Sequence, residues 1–501
     1  GEDVPWKEFI VVMARDIPGE NRLGADQPFL VEVGGRINHP QEPVLLLAHG
    51  DPYLLEKARR AVTLEVEELP PVLDIQASLE GTVIVGGEGN LFKEIRIEQG
   101  DLDPVWAGAA HIIEGEYRTG AQEHLYLETN GMLAVVAHGD HEDLVTVCGS
   151  LQCPYYVQKA LMRLFGLEAD KIRIVQMETG GAFGGKEDYP SLIAGHAALL
   201  AWKSGRPVKL VYDREEDMAA TTKRHPSRTR IRTAFDGEGH LLALDIDFVL
   251  DAGAYATLSP VVLSRGALHA SGVYRCPNTR IHARAVATNT PPSGAFRGFG
   301  APQSLFALER HMDVCAAKLG LDPIELRRRN FLKPGDAMAT GQVIREPLDL
   351  EGLMDRALRE IGYAGKRQRF AAAHATADPI RRGVGISVFL HGCGFTGSGE
   401  DSLASVVGLE GLADGKVAIL AASTEMGQGK DTVLAQIAAE ALQIPIEMVD
   451  VAQPDTKIVP DSGPTVASRT TMVVGRLVEA TAFAFKQALI QQGFLREPYG
   501  P

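Results

Sequence analysis

"METGGAFGGKEDYP", residues 177–190, follows the alternating stretch "KIRIVQ" (171–176) and precedes the helix-like "SLIAGHAALLAWKSG" (191–205). A strand, a glycine turn and a helix in that order are the repeating unit of an α/β fold. Gly180 through Lys186 nearly satisfies the G-x-x-x-x-G-K pattern of loops that cradle phosphate. The next residue, however, is Glu187, where such a loop needs a hydroxyl for Mg2+ and where a carboxylate would repel the phosphate. The pattern therefore argues against a nucleotide triphosphatase. It leaves a glycine loop whose main chain approaches some other ligand.

Three more stretches have the same character: "GAFRGFGAPQ" (294–303), "TEMGQGKDT" (424–432) and "GPTVASRTT" (463–471). Each sits between an extended segment and a helix-like one. Glycine and small residues let the backbone come close to a ligand, and successive N–H groups at a helix start hold an anion. One such loop alone is usually a tight turn. Four together point to a large, polar, anionic ligand reached from several directions.

The rest of the 501-residue chain sets bounds on that ligand. Its length predicts two to four domains. A composition of 45% hydrophobic and 23% charged residues is that of a globular protein, and no apolar run approaches the length of a membrane span. A net charge of −15 excludes a binder of nucleic-acid backbone. Cys148, Cys153, Cys276, Cys315 and Cys393 form neither a C-x-x-C nor a zinc pattern. An odd number of scattered thiols predicts reduced cysteines and a cytoplasmic setting.

Three segments are expected. Residues 1–90 hold short β-rich runs ("FLVEVGG", "TVIVGG") and a helix "DPYLLEKARRAV" begun by Asp51 and Pro52. Residues 91–345 read as a large α/β region. It includes a helix through "SLFALERHMDVCAAKLG", where Leu305, Leu308, Met312, Cys315 and Leu319 recur at helical spacing, and another at "DPIELRRRN" capped by Asp322. Residues 346–501, reached through the polar linker "KRQRFAAAHATADPIRR", read as a second α/β region. It has the strand "KVAILAAS" and helices at "DTVLAQIAAEALQ" and "VGRLVEATAFAFKQALI".

"GGAFGGKE", "AFRGFGAPQ", "TEMGQG" and "PTVAS", in this order and at these separations, resemble the molybdenum-cofactor portion of the xanthine dehydrogenase and aldehyde oxidase family. "QEHLYLET" (122–129) and "RHPSRTR" (224–230) are similar to characteristic stretches of it too. The likeness covers essentially the whole chain. It implies a mixed α+β and α/β architecture: a hammerhead-like N-terminal domain over residues 1–90, then two molybdopterin-binding domains over 91–345 and 346–501. Both the first strands and the C-terminal end of this arrangement are expected to be missing.

The resemblance also implies a set of site residues. Gln152 lies where the family has a glutamine near the apical oxo ligand of molybdenum. Phe183 and Gly184 match main-chain donors of the glycine loop, and Arg297 matches the arginine of "AFRGFG". Met426, Gly427 and Gln428 match pterin contacts, and Val466, Ala467 and Ser468 match contacts to the phosphate end. No side chain ligates the metal directly; a molybdopterin holds it, often as the cytosine dinucleotide in bacteria.

Glu187 and Arg265 fall where the purine-oxidising members orient the ring's polar edge, and Phe299 and Phe395 where two phenylalanines flank a flat substrate. A carboxyl, a guanidinium and aromatic walls suit such a ring. On the residues alone, Glu187 also suits a helix cap and Arg265 a scaffold ion pair.

The implied activity is hydroxylation of a purine or related N-heterocycle, with oxygen from water. Electrons would leave through 2Fe-2S clusters and FAD on partner subunits or missing segments, since no cysteine pattern here suits a cluster. The general base is expected outside this chain, on a missing segment or a second molybdenum-site polypeptide, so that the chain alone would not turn over. Aldehyde or N-heterocyclic carboxylate oxidation, or a cofactor-holding subunit without catalysis, are the alternatives.

Overall fold

The computed structural model describes residues 4–137, 144–374, 379–395 and 399–494. Four residues of the expected linker and the three that follow Phe395 lie outside that set.

A five-stranded sheet runs in the order Leu91–Gln99, Asn278–Ala287, Leu241–Gly253, Ser227–Phe235, His111–Thr119. Only the pair Leu241–Gly253 and Asn278–Ala287 is parallel. Alternation decides its two faces. Leu244, Ile246, Phe248 and Leu250 are buried beneath helices Ser259–His269, Ala301–Leu319 and Pro323–Asn330. Between them in sequence, Asp245 pairs across the sheet with Arg280 and Asp247 with Arg284, as Glu116 does with Arg230, so the other face is a ladder of charges.

The second sheet has the order Ile172–Gln176, Val145–Gly149, Gly131–Val136, Val208–Val211. Helices Pro154–Phe165 and Pro190–Ser204 cover it, and the second is buried on every side from Pro190 to Ala201. A third sheet, Gly408–Gly411, Val417–Leu420, Val449–Val451, packs on helices Lys430–Leu442 and Gly475–Gln491. The fold is thus mixed α and β, as the strand–turn–helix reading implies.

Several local expectations hold. Asp51 caps Pro52–Ala61 by accepting from Tyr53 and Leu54 N–H, and Asp322 caps Pro323–Asn330. Others fail for identifiable reasons. "FLVEVGG" and "TVIVGG" are not strands. Phe29 and Leu30 are fully buried against the second sheet's helices, but Asn21 serves their backbone: Oδ1 accepts both N–H groups and Nδ2 donates to the Leu30 carbonyl. A side chain has replaced the ladder. The N-terminal strands are instead Ile10–Val12 and Leu46–Ala48. Part of the linker is the helix Tyr363–His374, and Leu350 and Met354, just before it, bury in the core of the five-stranded sheet.

The second and third sheets are joined edge to loop. Gln176 N–H donates to Pro454 O (2.9 Å) and Thr456 N–H to Ile174 O (3.0 Å). Arg173 pairs with the buried Asp455 at 2.6 Å. This seam brings the glycine loop that leaves Gln176 beside the "TEMGQG" loop that follows Val417–Leu420.

Arg327 is fully buried and ties helix Pro323–Asn330 to helix Ala301–Leu319. It donates to Glu309 (3.1 Å), Asp313 (2.9 Å) and the Glu309 carbonyl (3.0 Å). Replacing it leaves Glu309 buried and uncompensated. Arg327→Met is expected to cost about 3–5 kcal/mol in chemical unfolding. Arg356→Ala, which breaks only an exposed pair with Glu360, should cost less than about 0.5 kcal/mol.

Candidate functional site

The four loops meet at one cavity of about 320 Å3. Gln152, Phe183, Gly184, Glu187, Arg265, Arg297, Phe299, Met426, Gln428, Val466, Ala467 and Ser468 all line it. Of the remaining expected residues, Gly427 sits in the turn between two lining residues. Phe395 borders a small adjoining cavity together with Arg265, Phe299, Val466 and Ala467.

Gln152 joins three of the loops. Its Oε1 accepts from the N–H of Gly184 (3.0 Å) and Lys186 (3.4 Å), and its Nε2 donates to Thr465 O (3.0 Å). Its own carbonyl accepts from Thr424 Oγ1 at 3.2 Å. One of its two side-chain N–H groups stays uncommitted. The fourth loop joins through Arg297 N–H, which donates to Phe183 O at 2.8 Å. Gly184 has φ of 102°, and a Cβ there would lie 2.9 Å from the Ala295 carbonyl, so glycine is what lets these two loops touch.

Lys186 does not face the cavity. It is fully buried, and its ammonium donates to Glu128 O (2.8 Å), Glu128 Oε2 (2.9 Å) and Ser150 Oγ (2.8 Å). Glu128 also accepts from Gly180 N–H at 2.6 Å, so the pair anchors the glycine loop from behind. The other conspicuous stretches brace the "AFRGFG" loop. Arg224 lies over the Phe296 ring at 3.9 Å and donates to Arg297 O. His124 stacks on the same Phe296 ring, with centroids 4.3 Å apart, and bonds Ala295 O.

The donor set suits an anionic, oxygen-rich organic ligand. The N–H groups of Phe183, Ala467 and Ser468 donate to no acceptor among the described residues. The exposed Arg297 guanidinium has no partner there either. Phe183, Phe299, Ala467 and Ser468 all have φ between 52° and 55°, unusual for residues with a Cβ, and such values recur where main chain is turned toward a ligand. Among the described residues no cluster of His, Cys, Asp or Glu could hold a metal ion by itself.

Two charged side chains face that space differently. Glu187 is 3% exposed, and its carboxyl has no hydrogen-bond partner among the described residues. Burial first, and the neighbouring Asp188 second, push its pKa well above the carboxylate range, so the site favours its neutral form. Arg265 spends its Nη1 on Gly392 O (2.8 Å) and its Nη2 on Gly394 O, with no carboxylate partner among the described residues. Glu425 is occupied in its loop. Although burial opposes it, main-chain bonds from Gly429, Asp431 and Gly427 hold its pKa below the usual range.

Sequence reading missed His391, which lines the cavity and approaches Gly298 O at 3.3 Å. It also missed Arg469, fully buried, which donates to Glu400, Ser405 and the Ser462 and Pro464 carbonyls and so shapes the 463–468 turn. Arg469 stands inside a quoted motif; its role is carried by partners distant in sequence.

Comparison with known proteins bears on what occupies such a cavity. Family models described as molybdopterin cofactor-binding domains match residues 86–331 and 356–493. The chain is 34% identical over 473 residues to a probable xanthine dehydrogenase subunit of Bacillus subtilis, covering 94% of this chain and 61% of that protein. It is 35% identical over 359 residues to the nicotinate dehydrogenase large molybdopterin subunit of Eubacterium barkeri, covering 70% of this chain and 83% of that one. The aldehyde oxidoreductase structure from Desulfovibrio gigas matches with a TM-score of 0.86 at 30% identity, over 97% of this chain and 54% of that chain. The chain thus spans less than two thirds of the Bacillus protein and about half of the Desulfovibrio one. With its loops meeting at one cavity, the chain belongs to the xanthine dehydrogenase and aldehyde oxidoreductase family, as molybdopterin cofactor-binding domains.

Proposed function

We propose that the cavity binds molybdopterin and, beside it, a purine of the xanthine or hypoxanthine type or a related N-heterocycle, and that the assembled enzyme hydroxylates the ring with oxygen from water. The observation that carries this reading is the meeting of four loops around uncommitted main-chain N–H groups and a buried carboxyl with no hydrogen-bond partner among the described residues. When bound, the cofactor supplies the oxygen-transfer and electron-accepting chemistry. The chain's part is to bind and orient. Phe183, Ala467 and Ser468 N–H groups and Arg297 bind the anionic ends, and Gln152 offers its spare N–H to an oxo group. Met426, Gly427, Gln428 and Val466 complete the cofactor contacts, with Gly184 closing the turn.

Glu187, in the acid form that burial favours, donates to a ring nitrogen or accepts from a ring N–H. Arg265 sets a positive charge beside a heterocycle that gains negative charge during attack. Phe299 and Phe395 flank the ring. Electrons pass to 2Fe-2S and FAD centres on partner subunits or on further segments, and the general base comes from a further segment or from a second molybdenum-site polypeptide. The cytosine dinucleotide form of the pterin and a cytoplasmic location complete the proposal. Support for the second polypeptide comes from the Eubacterium relative, whose name specifies a large molybdopterin subunit. That name also favours a second reading, an N-heterocyclic carboxylate as substrate, for which the unpaired Arg297 offers a cation.

The test is metal and pterin analysis of the assembled enzyme, with products identified from xanthine, hypoxanthine, nicotinate and an aromatic aldehyde. Arg265→Met is expected to lower purine turnover about 100-fold and to spare aldehyde turnover; equal loss of both counts against the purine reading.

Glu187 gives a test on the chain alone. Its carboxyl ionises in the unfolded state near the ordinary pKa, about 4.3, but stays protonated in the fold to higher pH. The native state therefore binds the extra proton across that window, and stability falls as pH rises through it. Glu187→Gln removes this loss. The Tm advantage of the variant should grow from pH 5 to pH 7, and a constant difference would show the carboxyl to be ionised in the fold.

A further inference from the structure

Arg265 reaches the cavity from helix Ser259–His269 and places its guanidinium on one turn, residues 391–394. Little else holds that turn. Gly392 and Cys393 are exposed, and Gly394 has φ of 75°. Two of its main-chain N–H groups have acceptors among the described residues. Gly394 N–H donates to Ala467 O (2.8 Å), and Gly392 N–H donates to Nε2 of His269 (3.4 Å). A glycine without such an anchor turns freely about φ and ψ, and its carbonyl would then swing away from Arg265.

His269 lies one helical turn after Arg265. Its Nδ1 is 2.8 Å from the Arg265 carbonyl, which can only accept, so Nδ1 carries the proton. Nε2 of the neutral ring is then the acceptor that Gly392 N–H requires. These two partners select one tautomer and disfavour the imidazolium, whose Nε2–H would face another N–H. Burial first, with His391 and Arg265 nearby, also holds the pKa of His269 below its ordinary value, although the bond to the Arg265 carbonyl opposes this.

Three bonds thus close a ring. The Arg265 guanidinium donates to Gly392 O (2.8 Å), Gly392 N–H donates to His269, and His269 donates to the Arg265 carbonyl. Both polar groups of Gly392 are fixed by one turn of helix. His269 is not among the described residues that line the cavity; His391 is, with its ring 5.3 Å from that of His269. Any effect of His269 on substrate therefore passes through Arg265 and the turn.

We propose that His269 is a positioning residue for Arg265: it fixes the Gly392 carbonyl that aims the guanidinium, and so helps set the preference for a ring that gains negative charge as it reacts. This rests on the role given to Arg265 in the function proposed above. A histidine that only closed the helix end would change stability and leave substrate handling alone.

His269→Leu and His269→Gln separate these. A carboxamide can donate to the Arg265 carbonyl and accept from Gly392 N–H, whereas Leu can do neither. In the isolated chain, the Gly392 amide should exchange about 10-fold faster in His269→Leu than in the wild type or His269→Gln. In the assembled enzyme, kcat/KM for hypoxanthine should fall about 10-fold in His269→Leu and return to within about 2-fold of wild type in His269→Gln. With Arg265→Met already in place, His269→Leu should add nothing, because the pair acts as one unit. The wild type also carries a test that needs no variant: 15N shifts should place the proton of His269 on Nδ1. A proton on Nε2, unchanged Gly392 exchange in His269→Leu, or an equal loss of kcat/KM in both backgrounds would each overturn the proposal and spare the proposed function. A wild type that oxidises aldehyde but no purine would instead sink the proposed function, and with it the substrate preference assigned here.

Discussion

The carboxamide of Gln152 is the joint on which the site depends. It binds Gly184, Lys186 and Thr465, two of them in one loop and the third more than 300 positions away. Its oxygen has two donors and its nitrogen one acceptor, so the side chain has little freedom to rotate. A carboxamide suits this task because it both donates and accepts without charge; a carboxylate could not reach the Thr465 carbonyl as a donor. The second and third sheets can drift only if this joint opens, along with the Arg173–Asp455 pair and the main-chain bonds of the seam.

Around that joint the site handles an anionic ligand without lysine. The chain is acidic overall, and the two lysines that follow glycine in its loops are turned away. Lys186 is committed to Glu128 and Ser150, and the buried Lys430 pairs with Asp431. What remains at the surface of the cavity is backbone N–H together with the guanidinium groups of Arg265 and Arg297. Holding Phe183, Phe299, Ala467 and Ser468 in left-handed conformations costs about 1–2 kcal/mol per residue. Neighbours keep them there: Phe183 O accepts from Arg297, Phe299 N–H donates to Phe296 O, and Ala467 O accepts from Gly394. Fixed dipoles obtained in this way need no reorganisation when the ligand arrives, whereas a flexible ammonium must be ordered first.

Which parts of this were legible in the sequence follows from how local their causes are. Helix caps at Asp51 and Asp322 rest on neighbouring residues and could be read directly. The loops could be read because glycine marks places where backbone must come close. Lys186 could not, since its direction is set by Glu128 and Ser150, both remote in sequence. The N-terminal runs misled because apolar alternation reports burial, and burial of Phe29 and Leu30 is met without a ladder once Asn21 satisfies their backbone. The same logic runs the other way at residues 383–392, where the burial period of a strand is present and no partner strand stands among the described residues.

The electrostatics of the cavity give it a preference among ligands. Arg265 is held by two carbonyl oxygens, which fix its position without cancelling its charge. Burial favours the neutral form of Glu187, which lines the same space. An ion pair between them would have left the cavity with no net field and made each side chain a poor handle for substrate. Kept apart, they present one fixed positive charge and one buried carboxyl, each worth more in a site with little water than on the surface. Under the proposed function, a ligand that gains negative charge as it reacts would be favoured in its activated form over its resting form, which is the condition for catalysis rather than mere binding.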